Sequence, residues 1–120
     1  QAADSLDVDA FFVITDNTVV SALETLIQVA EDKRIPVIAS EGDSVARGAI
    51  ATIGIDYYAL GYQTGEMAVR ILRGEADPAS TPVETQTELA LHLNLGAAER
   101  MGVEIPQDLI DEADPENITE

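Results

Sequence analysis

Three polar clusters follow apolar runs in this chain, and each carries side chains able to hold a small solute. Thr15-Asp16-Asn17 ends the run 10–14, Ser40-Glu41 with Asp43 follows the run 35–39, and Asp56-Tyr57-Tyr58 follows 49–55. A carboxylate accepts from an ammonium group, while Thr and Asn side chains both donate and accept. Backbone N–H groups at a helix start, here those of Thr18 and Val19, suit a ligand carboxylate. Three of the five aromatic residues are Tyr57, Tyr58 and Tyr62, and a tyrosine wall suits an aromatic or cationic ligand. This is the chemistry of capture, with few convergent polar groups in an apolar cleft. Each cluster also has a plainer role. Asp16 or Asn17 can cap a helix, the acids of 40–45 can form a solvated loop, and a tyrosine can pack a hinge.

Bond-making chemistry finds less support. His92 is the only histidine and lies within a strand-like run, and no serine has the setting of a nucleophile. Gly42 and Gly48 have the spacing of a phosphate loop, but no Lys-Ser/Thr pair follows. Asp7 and Asp9 lack a calcium-loop continuation. A phosphoacceptor receiver domain needs a lysine after its last strand, whereas the only lysine, Lys33, precedes the second. Metal-dependent phosphatase chemistry wants a second Asp two positions from Asp16, where Ile14 and Thr18 stand. With no cysteine, thiol catalysis, disulfides and cysteine metal sites are excluded. The expectation is no catalytic residue, no metal ligand and no cofactor. Asn117-Ile118-Thr119 matches a glycosylation sequon but is short enough to arise by chance.

The elements that must position the three clusters follow from periodicity. A helix is expected over 18–32, with Val19, Ala22, Leu23, Leu26 and Ala30 on one face and Lys33-Arg34 at its end. Pro36 cannot continue it. Strand, helix and strand over 8–40 make one βαβ unit, and in open α/β sheets ligands bind beyond the carboxyl ends of the strands. A turn-rich acidic loop is expected at 40–45 and a third strand at 49–55. A helix follows over 59–73, with Gly61, Gly65 and Ala68 as a small-residue face for close approach to a sheet and a Glu66–Arg70 pair outside. The segment 75–88 reads as a polar connector, 89–94 as a strand, 97–101 as a short helix ended by Gly102, and the rest as an acidic tail. Gln1-Ala2-Ala3 reads like the inside of a helix. The fold class is α/β, a parallel-sheet Rossmann-like lobe.

Composition narrows the partners. The 120 residues hold 23 acidic and 6 basic side chains, a net charge of −17, which repels nucleic acid and anionic membrane surfaces. At 46% apolar residues the chain can nevertheless build a core. No apolar run reaches membrane-span length, so no membrane insertion is expected. An acid-rich, lysine-poor surface suits concentrated salt, where screening removes self-repulsion, and predicts a halophilic source.

The motifs TDN, IPVIAS with its acidic sequel, GAIATIGIDYY, LGYQTGEMA, ILRGE and LNLGAAERMGVEIP occur in that order. Together they resemble the C-terminal part of ABC-transporter substrate-binding proteins, nearest to those associated with tryptophan, tyrosine and related small ligands. The resemblance implies the periplasmic-binding-protein fold of type I, in which two α/β lobes close on a ligand like a hinged trap. It implies that 1–56 and 89–120 supply elements of the C-terminal lobe and that the helix within 57–75 lies in or near the N-terminal lobe. It further implies non-catalytic binding of a small solute, an amino acid, by Thr15, Asp16, Asn17, Ser40, Glu41, Asp43, Asp56, Tyr57 and Tyr58. The partner would be an ABC permease and the address extracytoplasmic, periplasmic or at the cell surface. A ligand-sensing module of a receptor is the alternative. Family members are much longer than this chain, so most of one lobe is missing from the pattern. The exposed face of 59–73 is then expected to drive self-association.

Overall fold

The computed structural model describes residues 7–86 and 88–120. Gln1-Ala2-Ala3, expected as helix, lies outside the described residues. The chain forms β1 (Phe11–Val13), α1 (Asn17–Ser21), α2 (Leu23–Lys33), β2 (Val37–Ala39), α3 (Gly42–Ala46) and β3 (Ala51–Ile55). There follow α4 (Tyr57–Leu72), β4 (Leu89–Asn94), α5 (Leu95–Met101), α6 (Gln107–Glu112), a 3-10 turn (Pro115–Asn117) and β5 (Ile118–Thr119).

The five strands make one sheet in the order β1-β2-β3-β4-β5. β1 runs parallel to β2 with Phe12 beside Ile38, β2 parallel to β3, and β4 parallel to β5. The Asn94 N–H donates to the Ile50 carbonyl at 2.8 Å. The end of β4 therefore lies beside the start of β3, and these two neighbours run in opposite directions. The architecture is thus α/β with a mostly parallel sheet, as the alternation of apolar runs and helical periods predicts.

Chain contacts divide the molecule into two compact units, Gln1–Gly54 with Ala90–Glu120, and Ile55–Leu89. In the first, one face of the sheet is sealed. Val13, Val37 and Ala39 pack beneath Leu23, Ile27 and Ala30 of α2, Val45 of α3 and Ala97, Ala98 and Met101 of α5. Arg100 of α5 reaches Glu31 of α2 at 2.5 Å, which closes the top of this layer. Side chains alternate along a strand, so Phe12 and Ile53 emerge on the opposite face, each 68% exposed. With Ile38, Leu91 and Leu109 they line an open apolar shelf of about 440 Å³.

Several local expectations are corrected. The single helix over 18–32 is two helices, broken at Ala22 (φ −111°, ψ 15°). The Ala22 N–H turns back to the Val19 and Val20 carbonyls, and the Arg47 guanidinium takes the Val20 carbonyl at 2.8 Å. That carbonyl is thus already satisfied where the first helix stops. The expected acidic loop at 40–45 contains the helix α3, because Glu41 caps it. The Glu66–Arg70 pair gives way to an Arg70–Glu84 pair, since the connector returns along α4. Gln63 also donates to the Thr85 carbonyl at 3.1 Å. At Gly61 and Gly65 of α4 an added Cβ would find no described residue within 4 Å. The acidic tail is ordered, with α6, the 3-10 turn and β5, whose Ile118 pairs with Leu93. No helix among the described residues is long and apolar enough to cross a membrane.

Candidate ligand-binding site

Within the first unit, the polar residues after β1 and β2 share the carboxyl edge of two paired parallel strands. Ser40 joins them, its hydroxyl donating to the Val13 carbonyl at 2.8 Å. That bond fixes the end of β1 against the end of β2, just before Thr15-Asp16-Asn17. Asp16 is the N-cap of α1, and one oxygen, Oδ1, accepts from Thr18 N at 2.9 Å and from Val19 N at 3.0 Å. The sequence-based expectation that those two amides receive a ligand carboxylate is therefore wrong here: the protein's own carboxylate occupies them. Thr15 and Asn17 are exposed, and their side chains make no hydrogen bond among the described residues. They remain available to a solute.

The second cluster splits by burial. Glu41 is buried, with its carboxylate accepting from Asp43 N and Ser44 N, each at 2.9 Å, and from the Ser44 hydroxyl. It caps α3, the ordinary role of a carboxylate at a helix start, and little of it faces solvent. Asp43, in the first turn of α3, is exposed. Arg47, the residue that ends α3, braces the two site-bearing segments: its Nε donates to Glu24 at 2.8 Å while Nη2 holds the Val20 carbonyl. The Glu24 carboxyl is held below its ordinary value, first by a hydrogen bond from its own backbone and then by the Arg47 guanidinium.

Asp56, Tyr57 and Tyr58 belong to the second unit. Asp56 caps α4 as Asp16 caps α1, its Oδ1 accepting from Tyr58 N at 2.8 Å and Ala59 N at 3.0 Å. Gln86 adds a tether, donating to the Asp56 carbonyl at 3.0 Å and to the Glu88 carbonyl. Tyr58, 84% exposed, lines a cleft of about 500 Å³ together with Tyr62, Gln63, Glu66, Gln86 and Glu88. Two aromatic faces beside two carboxylates are chemically suited to a cation or an aromatic ammonium compound. Tyr57 is exposed as well.

Three acids thus follow three strand ends, and all three cap the helix after them. The residue types were legible in the sequence, as was a cap at Asp16 or Asn17; the caps at Glu41 and Asp56 were not. Two supporting residues were missed altogether. Asn94, 4% exposed, accepts from Ala97 N and donates to the Val45 carbonyl, each at 2.8 Å, so it caps α5 and ties it to α3. Its position directly before a helical run was the available signal. Arg47 offered none, since its partners lie 23 and 27 residues away in the chain. His92 plays a packing part: its ring lies where a Cβ on Gly42 would stand, 2.6 Å from the nearest ring atom. Among the described residues no three His, Asp or Glu side chains gather as metal ligands.

A sheet whose strand ends are crowned by capped helix starts and free polar side chains is the form of a solute-binding lobe. Residues 2–116 match the family model for ABC transporter substrate binding proteins, and the chain belongs to that family. It is 43% identical over 96 residues to a tyrosine-binding protein of Clostridioides difficile, covering 78% of this chain and 28% of that one. A conserved domain protein of Vibrio cholerae superposes with a TM-score of 0.79 at 36% identity, over 98% of this chain and 38% of its own. An ABC domain from Streptococcus pneumoniae in complex with L-Trp gives 0.74 at 34% identity, over 89% of this chain and 37% of its own. The chain spans 28% of the length of the curated relatives it matches.

Proposed function

We propose that the protein carrying this chain binds an amino acid, without chemical conversion, and delivers it to an ABC permease on the outer side of the membrane. The observation that carries the reading is the junction after β1, where Thr15 and Asn17 stand free beside an Asp16 already fixed by its cap. Support comes from relatives, one named for tyrosine binding and one solved with L-Trp. In this reading Gln1–Gly54 and Ala90–Glu120 are part of one lobe, and the helix within 57–75 belongs with the opposite lobe. Thr15, Asn17, Ser40 and Asp43 meet the polar end of the ligand, and Asp16 contributes its charge as well as its cap. Tyr57, Tyr58 and Asp56 supply contacts from the second unit, whose tyrosines favour an aromatic side chain. Glu41 acts from behind, by holding α3.

The test is ligand-induced thermal shift, in molar KCl, of this chain joined to the remaining lobe. A panel of standard amino acids is used, since a ligand that binds only the folded state raises the melting temperature. A rise with aromatic amino acids is expected. No rise with any amino acid, together with turnover of some substrate, would sink the reading.

A further inference from the structure

Helix α1 has little hold on the core. None of its five residues is buried, and Thr15, Asp16 and Asn17 beside its start are exposed. So short a helix is unstable in water on its own, because its first turn fixes several residues for one hydrogen bond. The pose of this segment therefore comes from tethers. At the near end, the Ser40 hydroxyl holds the Val13 carbonyl at 2.8 Å. At the far end, Arg47 Nη2 donates to the Val20 carbonyl at 2.8 Å. Among the described residues, that is the one hydrogen bond from α1 to a helix other than the α2 that follows it.

Both tethers spring from the segment that holds α3, and α3 is a rigid mount. Glu41 caps its start, Ser44 and Val45 are buried, and Asn94 donates to the Val45 carbonyl at 2.8 Å. Arg47 is fixed to that mount by its own N–H, which donates to the Asp43 carbonyl at 3.1 Å. The next residue, Gly48, has φ 125°, and a Cβ there would stand 3.0 Å from Ile27 of α2. A glycine at this point lets the chain pass close against α2, which brings Arg47 within reach of the corner between α1 and α2.

The guanidinium suits the task. Its planar fork serves two acceptors in fixed directions, so the Nε bond to Glu24 at 2.8 Å turns Nη2 onto the Val20 carbonyl. A cation at the last carbonyls of a helix also suits the helix dipole. The ion pair itself is exposed, with the side chains of Arg47 and Glu24 34% and 64% accessible. Such pairs add little stability, so the value of this one lies in geometry.

We propose that Arg47 is a positioning residue for solute binding: by joining α3 to the corner between α1 and α2, it makes Thr15-Asp16-Asn17 and the cluster of Ser40, Glu41 and Asp43 move as one jaw. The proposal deepens the ligand reading and rests on it. Without the brace, the jaw is in its binding pose for only part of the time, and apparent affinity falls by that fraction.

The test uses the full-length protein that carries this chain, titrated calorimetrically with L-tryptophan and with L-tyrosine, far below its melting temperature. R47A should weaken binding by about tenfold. E24A, which frees the guanidinium to turn, should weaken it by about threefold or more. E24Q keeps an oxygen that accepts from Nε and should bind within about twofold of the parent. The double variant R47A/E24A should bind no worse than R47A, because both changes remove one brace. Amide exchange gives the readout that a general loss of stability would not: in R47A, Val20 and Ala22 exchange about tenfold faster or more, while Ile27 keeps its protection. Affinity unchanged in R47A, or lost there without faster exchange at Val20 and Ala22, overturns the proposal. E24Q as weak as E24A also overturns it, by making charge rather than the bond responsible. Should R47A fail to fold, E24A and E24Q carry the same comparison. A parent that binds neither amino acid overturns the proposal together with the aromatic ligand reading, whereas a parent that binds while R47A binds equally well overturns the proposal alone.

Discussion

Replacing Asp16 separates its structural role from its role toward a ligand. In Asp16→Ala, the N–H groups of Thr18 and Val19 lose the Oδ1 acceptor that they reach at 2.9 and 3.0 Å. Both bonds are exposed, so water replaces the lost acceptor and the cost is that of a helix cap, about 1 kcal/mol. At about 2.1 cal/mol/K per residue, the 120 residues give an unfolding entropy near 250 cal/mol/K, so the melting temperature falls by about 4 °C. Asp16→Ser keeps an acceptor at the same place and should recover all but about 1 °C. Circular dichroism melts in molar KCl read both. A fall below about 1 °C for Asp16→Ala would show that the cap contributes nothing, and one above about 10 °C would place Asp16 in a larger network; either result refutes the argument. Affinity then reports the other role. If the carboxylate also meets a ligand ammonium, Asp16→Ser weakens binding by about tenfold or more while the fold is kept.

Asn94→Ala leaves the Val45 carbonyl and the Ala97 N–H buried without partners. It should cost about 2–4 kcal/mol in urea denaturation, and a loss below about 1 kcal/mol would show that these two bonds contribute little. Because the Glu24 carboxyl is held below the ordinary value of 4.5 in the folded state, its contribution is present above that pH and is lost as pH falls through the folded value. Arg47→Ala should therefore lower the melting temperature at neutral pH, with the gap to the parent narrowing in acid below 4.5 to what the lost bond to the Val20 carbonyl leaves; a gap that does not narrow contradicts the pairing. From about 0.1 M to about 1 M KCl the screening length drops from about 10 Å to about 3 Å. A chain of net charge −17 should melt higher in the stronger salt, and a flat or falling melting temperature would count against the halophilic reading.

Strand ends were the most legible part of this molecule. Each apolar run stops at a polar cluster because parallel strands buried among helices must return to solvent there, and Thr15, Ser40 and Asp56 mark those stops. The caps were half legible: Asp16 and Asn17 were both candidates, and only geometry shows Asp16 filling the role. Glu41 was misread as loop because a carboxylate before Gly42 looks solvated in so acidic a sequence, yet it is buried by accepting three donors. The break at Ala22 was out of reach, since its partner Arg47 lies beyond another helix. Likewise β5 is two residues long and exists by pairing with β4, which no local periodicity announces. The open face was visible only as the alternation of Phe12 with Val13, and a run of five apolar residues hides which of them has a neighbour.

The central claim is that the junction after β1 is where this family member holds its ligand. Titrating L-tryptophan to millimolar levels into the isotopically labelled chain, and following its backbone amides by NMR, tests that claim on the half of the site present here. The account predicts that the largest shifts fall on Thr15, Asp16, Asn17 and Ser40, and that they vanish in a variant with both Thr15 and Asn17 replaced by Ala. Shifts confined to the Phe12–Ile53 shelf, or unchanged by that double replacement, would contradict it.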